Sequence, residues 1–382
     1  MKRSILISAA AVAMLGGGWV LDVWAQDAGT GSQTVARPRK KPATDNSGAN
    51  NPAAPADSDN QAPIPSKLSP KATRGKEDTA DATFQAETNV VNVDVQVIDP
   101  HGNPIPGITR DKFRILEDNV PQTLTQFSTS EAPMTVAMVI EFSGVFQQFY
   151  SYGWSDTLTA AYGFVSTLKP DDYVAVIAYD LKTTILSDFS NDRSKTMDAL
   201  SRLRIPGFSE SNMFDALADT TDRMSKIEGR KAVLLISSGQ DTFSKLTYDK
   251  ARKALQEAGV PVYSIEILGL LRAMSPQDPI GFLQGDNELK TFAKETGGQA
   301  YFPRFPQEMG SIFQQISMSL RRQYSLGYSP NNQAKDGKFR KLTVQLVNPE
   351  TNQPLKIVDE KGKAVKYTVL AKAGYLAPRA VE

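Results

Sequence analysis

The sequence predicts an α/β fold: a doubly wound, mostly parallel sheet of Rossmann-like build, flanked by a small antiparallel β-sandwich. Three observations carry this. Four continuous apolar runs, Val136–Ile140, Tyr173–Tyr179, Ala232–Ile236 and Val262–Ile267, have the character of strands buried on both faces. Stretches with apolar residues at helical spacing lie between and after them. Before and after this region, shorter segments alternate apolar and polar residues with period two, the pattern of half-buried antiparallel strands.

The elements follow in chain order. Met1-Lys2-Arg3 is a basic start, and Ile5 to Leu21 is an apolar run broken by small residues. Val23-Trp24-Ala25 places small residues where a signal peptidase reads, so residues 1–25 are expected to be a signal peptide cleaved after Ala25 rather than a retained span. No cysteine follows the run, which excludes a lipid anchor on a cysteine. Residues 26–83 are rich in Pro, Ala, Ser, Asp, Asn and Lys and poor in large apolar residues, the composition of a disordered linker.

Residues 84–129 form the first β segment. Val91, Val93, Val95 and Val97 alternate with Asn92, Asp94 and Gln96, and the turn formers Asp99-Pro100-His101-Gly102-Asn103-Pro104 follow. Phe113–Ile115 and Leu124–Phe127 are further strands. Residues 130–323 are the α/β region. Its helical faces are Leu158, Ala161, Tyr162, Val165 and Leu168; Met213, Ala216, Leu217, Thr220, Met224 and Ile227; Leu289, Phe292 and Ala293, stopped by Gly297-Gly298; and Met309, Ile312, Phe313, Ile316 and Leu320. Residues 324–382 return to β, through Tyr324–Tyr328, Leu342–Leu346 and Tyr367–Leu370. Neither β segment has enough strands to cover a core, so the two are expected to pair into one sandwich with the α/β region inserted.

Composition removes several function classes. The chain has no cysteine and one histidine, His101, in a turn, so thiol chemistry, a thiolate or multi-histidine zinc site and an ordinary histidine triad lack their residues. No phosphate-cradling glycine motif follows a strand. A formal net charge of +1 gives no field for nucleic acid. Carboxylates near strand ends, Asp171-Asp172 and Asp180, leave an exported hydrolase as a third reading.

Ligands of doubly wound sheets bind outside the carboxyl ends of the strands. Three loops meet there: Glu141-Phe142-Ser143-Gly144-Val145, the stretch Phe208 to Leu217, and Ser237-Ser238-Gly239-Gln240-Asp241. Hydroxyls and carboxylates from three loops suit a hard cation. At these residues the chain resembles a von Willebrand factor type A domain, and specifically the Acidobacteria-type VWFA-related family, over about residues 88–378. The resemblance rests on "DVQVIDPHGNPIPGITRDKFRILEDNVPQTLTQF" (94–127), "LKPDDYVAVIAY" (168–179), "LKTFAKETGGQAYFPRFPQEMGSIFQQISMSLRRQYSLGYSP" (289–330) and "AGYLAP" (373–378).

The resemblance implies a metal-ion-dependent adhesion site with Asp-x-Ser-x-Ser on the first loop, a threonine on the second and an aspartate on the third. In this sequence those positions hold Glu141, Ser143, Val145, Ser211 and Ser238, and Asp241 lies three residues beyond the last. Only Ser143 matches outright. Mg²⁺ needs near-octahedral oxygens at about 2.1 Å, and Glu141 carries its carboxylate one methylene further out. The expectation is therefore a degenerate site, Glu141, Ser143, Ser211 and Asp241, with no tightly bound ion; weak Mg²⁺ or Ca²⁺ binding there is the alternative. Beside it, Phe142, Phe146, Phe149, Tyr150, Tyr152 and Trp154 crowd into thirteen residues. Aromatics of this kind anchor interfaces, so Phe146, Phe149, Tyr150, Tyr152 and Trp154 are expected to form a rim for a protein partner. The function expected is a secreted or periplasmic, non-enzymatic protein-binding or adhesion module at the cell envelope; a structural envelope scaffold is the second reading.

Overall fold

The computed structural model describes residues 90–129, 132–143, 155–203, 210–267, 279–305, 307–358 and 362–380. The signal segment, the linker and the aromatic rim at 146–154 lie outside the described residues.

The α/β region is built on a six-stranded sheet. Its strands are β5 (Met134–Glu141), β6 (Tyr173–Tyr179), β7 (Thr183–Ser190), β8 (Arg230–Ser237), β9 (Val262–Glu266) and β10 (Ala300–Tyr301), in the order β10-β9-β8-β5-β6-β7. All neighbours are parallel except β6 and β7. The four expected apolar runs are its four central strands. Every residue of β5 is buried, and its side chains alternate between two cores. Met134, Val136, Met138 and Ile140 face α1 (Ser155–Thr167), α2 (Arg193–Ser201) and α6 (Glu308–Arg321), through Phe164, Leu200, Phe313 and Ile316. Ala137 and Val139 face α3 (Met213–Ser225), α4 (Tyr248–Ala258) and α5 (Pro279–Thr296), through Leu217, Leu255 and Phe292. Each such aliphatic side chain contributes about 1.5–3 kcal/mol by leaving water. Helices on both faces make the sheet doubly wound. The chain leaves β5 toward β6 and later enters β8 on the other side, so β5 and β8 bound the point where strand order reverses.

The flanking segments form two four-stranded sheets. One has the order β15-β1-β11-β4, with β1 (Val91–Ile98), β4 (Leu124–Ser128), β11 (Tyr324–Tyr328) and β15 (Thr368–Ala371). The other has the order β16-β12-β2-β3, with β2 (Phe113–Glu117), β3 (Val120–Gln122), β12 (Phe339–Leu346) and β16 (Gly374–Leu376). Each sheet takes two strands from before the α/β region and two from after it. Val93, Val95, Val97, Ile115, Leu326 and Leu342 fill the core between the sheets. Glu117, buried in this sandwich, accepts hydrogen bonds from the hydroxyls of Tyr328 (2.6 Å) and Tyr375 (2.9 Å), which ties β2 to β11 and β16.

One strand face departs from the sequence reading. Gln96 sits among the polar residues of β1, yet it is buried, and its amide donates to the Tyr263 hydroxyl on β9. The side of β1 that period-two alternation assigns to water is covered there by the α/β region.

Helix α5 is bolted to the sandwich at its end. The Ala373 N–H donates to the Glu295 carbonyl (2.8 Å), and Gly297, at φ +87°, lies so near the chain that a Cβ would stand 2.7 Å from the Lys372 nitrogen. The glycine pair expected to stop this helix does so because only a residue without a side chain permits that approach.

The shared sandwich makes an unusual demand on the C-terminal segment. A chain ending at Pro330 keeps β11 but loses β12, β15 and β16, leaving β2 and β3 as an isolated hairpin. Limited proteolysis is expected to cut such a chain within residues 90–128 while sparing 155–203. Protection of both regions would show that the N-terminal strands hold without their C-terminal partners.

Candidate functional site

The site follows from strand register. Glu141, the last residue of β5, stands opposite Tyr179 on β6, and the pairing of Ile140 with Ile236 sets it opposite Ser237 on β8. Residues level with one another in parallel strands project to the same face about 4.8 Å apart. A glutamate in this row can therefore reach sideways to its neighbours.

The carboxylate does so. Ser143 Oγ donates to Oε1 (2.9 Å), Ser237 Oγ to Oε2 (3.0 Å), and the Ser238 backbone N–H to Oε2 (2.7 Å). Ser238 Oγ lies 3.0 Å from Oε1 and 2.8 Å from Oε2. Tyr179 OH stands 2.8 Å from Ser237 Oγ and 3.3 Å from Oε2. Glu141, Ser143, Ser237 and Ser238 are all fully buried. Burial pushes the Glu141 carboxyl above its usual range, and the hydrogen bonds from Ser238, Ser143 and Ser237 pull it back. Burial first, and the Glu141 carboxylate second, hold the Tyr179 phenol well above its ordinary value.

The other expected residues have separate tasks. Asp241 caps α3: its Oδ1 accepts from the Phe214 N–H (3.0 Å) and the Ser244 hydroxyl (2.6 Å). Burial raises its carboxyl pKa against those hydrogen bonds. Ser211 holds the same loop through its backbone, with the Thr242 and Phe243 N–H groups donating to its carbonyl (2.9 Å each). Its side-chain oxygen is buried with no hydrogen-bond partner, as is Asn212 Oδ1 beside it. The structure thus gathers Glu141 and Ser143 with Ser238, and adds Tyr179 and Ser237. It sets Asp241 on the helix cap instead. Tyr179 was visible in the sequence only as the end of an apolar strand. Its role depends on the register of β5 against β6, which the residue pattern does not carry.

This donor set fits a divalent cation poorly. A hard ion needs several carboxylate or carbonyl oxygens with free lone pairs. Here one carboxylate has both oxygens occupied by proton donors. Among the described residues no three Asp, Glu or His side chains gather at one point.

The acid pair that could have served hydrolysis is also dispersed. Asp172 precedes β6 and Asp180 follows it, roughly 26 Å apart at 3.3 Å per residue. Asp172 is buried under Arg321 (2.8 Å) and accepts from the Met134 and Lys169 N–H groups, holding the opposite end of the sheet together. His101 lies exposed in its turn, where its N–H donates to Asp99 (2.8 Å).

No family model matches the chain, and no curated protein matches it in sequence. Solved structures do match in part. Proximal thread matrix protein 1 from the mussel byssus is 14% identical over 53% of this chain and 50% of its own, with a TM-score of 0.40. It has also been solved with a zinc-occupied MIDAS motif. The PilB minor pilin of Streptococcus sanguinis is 10% identical over 51% of this chain and 63% of its own, with a TM-score of 0.36. The vWF domain of the type V pili tip protein Mfa5 from Porphyromonas gingivalis is 12% identical over 50% of this chain and 95% of its own, with a TM-score of 0.39. The chain thus spans about half the length of the mussel protein and less than two thirds of the pilin.

The hydrogen-bond cluster yields a paired prediction. Glu141→Ala leaves a cavity and removes the shared acceptor of three serine hydroxyls, and should cost about 2–4 kcal/mol in urea unfolding. The folded protein binds the Glu141 proton more tightly than the unfolded chain does. Stability from this group is therefore complete below the unfolded value near 4.3 and is lost as pH rises through the folded value. Glu141→Gln should keep the fold and flatten the stability profile above about pH 4.3. A profile identical in slope to that of the parent would show that Glu141 does not titrate in this way.

Proposed function

We propose that the chain is an exported, non-enzymatic protein-binding module of the adhesion type, carrying a degenerate metal-ion-dependent adhesion site at the ends of β5 and β8. The observation that carries this reading is the occupation of both Glu141 oxygens by Ser143, Ser237 and Ser238. These internal donors do the electrostatic work that a cation does in an intact site, and the loop is held without one. Contact with the partner then falls to side chains at the rim. Phe146, Phe149, Tyr150, Tyr152 and Trp154, which follow directly on Ser143, are the residues proposed for it. The dispersal of Asp172 and Asp180 and the isolation of His101 support a non-enzymatic reading. Among the described residues no helix is long and apolar enough to cross a membrane; export rests on the basic start, apolar run and Val23-Trp24-Ala25 of the N-terminal segment.

A second reading has its own observation. The unpartnered, buried Ser211 oxygen supports weak Mg²⁺ or Ca²⁺ binding through Glu141, Ser143, Ser211 and Asp241 with water. Calorimetric titration with Mg²⁺, Mn²⁺ and Ca²⁺, paired with melting curves in EDTA, separates the two. The expected result is no saturable heat and an unchanged melting temperature. Saturable binding lost in Ser143→Ala would replace the first reading with the second.

The rim is tested independently. Phe149→Ala with Trp154→Ala should keep the circular dichroism spectrum and lose at least tenfold in retention of envelope proteins on the immobilised chain. Unfolding of the double variant would assign those rings to the core.

A further inference from the structure

Helix α5 carries an apolar stripe on its outer face. Ile280 is 78% exposed and Leu283 59% exposed. On the same helix face, one and two turns on, stand the polar Gln284, Asn287 and Glu288, at the i+4, i+7 and i+8 positions from Ile280. These five residues and Tyr248 line an open surface cavity of about 460 Å³ beside the start of α4. The Tyr248 ring is fixed from behind by Phe292 (5.5 Å between centroids) and Phe214 (6.2 Å).

Glu288 is only 7% exposed, yet its side chain accepts one hydrogen bond, from Gln284 Nε2 (2.9 Å), and makes no ion pair among the described residues. A buried carboxylate is ordinarily neutralised by a cation or by several donors. This one has neither, in contrast to Glu141. Burial raises its carboxyl pKa, and Asp241 raises it further. A buried carboxylate lining an open surface cavity together with an aromatic ring and two exposed aliphatic side chains matches the parts of one ligand. An alkyl stem fits the aliphatic side chains, and a cationic head meets both the carboxylate and the ring face.

We infer that the Tyr248–Glu288 cavity receives the lysine or arginine side chain of a protein partner, with its stem between Ile280 and Leu283 and its charge on Glu288. The cavity adjoins the site loop: the backbone of Gly285 on α5 packs so closely on Gly239 that a Cβ on either would lie within 3 Å of the other. A partner engaged at the ends of β5 and β8 thus has a second anchor within reach. The proposal deepens the protein-binding reading and rests on it for the identity of the ligand's carrier.

The test uses the full chain, ¹⁵N-labelled, with n-butylguanidinium and n-butylammonium as probes and n-butanol as the uncharged control. Saturable shifts of the Tyr248, Gln284, Asn287 and Glu288 amides are expected with at least one cation, with millimolar affinity and little response to butanol. Glu288→Gln should weaken binding at least fivefold, and Ile280→Ala, at an exposed position, two- to threefold without affecting the fold. Equal shifts from butanol, no shift with either cation, or unchanged affinity in Glu288→Gln would overturn the assignment. The probes bind or fail without any partner present. Silence here alongside intact rim-dependent capture removes this cavity alone, whereas probe binding without rim-dependent capture retains the cavity and removes the protein-binding reading of the rim.

Discussion

The burial of one carboxylate at the end of the central strand sets the terms for the rest of this site. A glutamate taken out of water costs several kcal/mol unless the charge is met, and Glu141 is met entirely by neutral donors. Hydrogen bonds to a charged acceptor contribute about 1.5–3 kcal/mol each, so the three serines offset much of the burial, which still holds the carboxyl above its usual range. They converge because β5, β6 and β8 end level with one another, so that Tyr179, Glu141 and Ser237 form one row. Shifting β8 by a single residue would turn the Ser237 hydroxyl to the opposite face, away from the carboxylate. The hydrogen bonds therefore specify strand register at the point where function is expected, and apolar packing alone would not be so exacting there.

Along the same row, Glu141 has one methylene more of reach than an aspartate would have. The longer arm lets the carboxylate fold over onto Ser237 and Ser238. Ser238 then answers with a backbone N–H and a hydroxyl where the resemblance implies an aspartate. A second carboxylate at that point would face the first with no cation between them. Glu141 and Ser238 are therefore electrostatically compatible: the carboxylate meets hydrogen-bond donors at that point and no second negative charge.

Much of this architecture was legible in the sequence, and the omissions have physical causes. The four apolar runs could be read because strands buried on both faces admit few polar residues. The stop at Gly297-Gly298 could be read because a close backbone approach leaves glycine few substitutes. Strand β7 was missed because an edge strand with the sequence TTILSDFS needs only one covered face. Helix α4 was missed because it buries just Ala251 and Leu255 on an otherwise polar surface. At the site, the loops and Glu141 with Ser143 are named by residue type and position; Ser211 and Asp241, expected with them, sit on the neighbouring loop and on the cap of α3, and Ser238 entered only as the position where the resemblance implies an aspartate. The partnership of Tyr179 and Ser237 was not legible, since it depends on how three separate strands are aligned. The polar face of β1 misled for a related reason: period two reports alternation, and a covered face with hydrogen-bonding partners alternates just as an exposed one does.

Helix α5 joins these parts into a mechanical unit. It has 18 residues and is about 27 Å long at 1.5 Å per residue. Gly285, in its first half, rests on the site loop at Gly239, while Glu295 and Gly297 at its far end are fastened to the C-terminal strands of the sandwich. Backbone-to-backbone contacts of this kind transmit displacement better than contacts between long side chains, because there is no rotamer to absorb it. A load applied at the strand ends would thus reach the sandwich through a rigid helix as well as through the chain connections into β5 and out of α6. Because the sandwich interleaves strands from both sides of the insertion, pulling on either flank loads both sheets at once. This arrangement places the ends of β5 and β8 and both flanking segments on one packed framework.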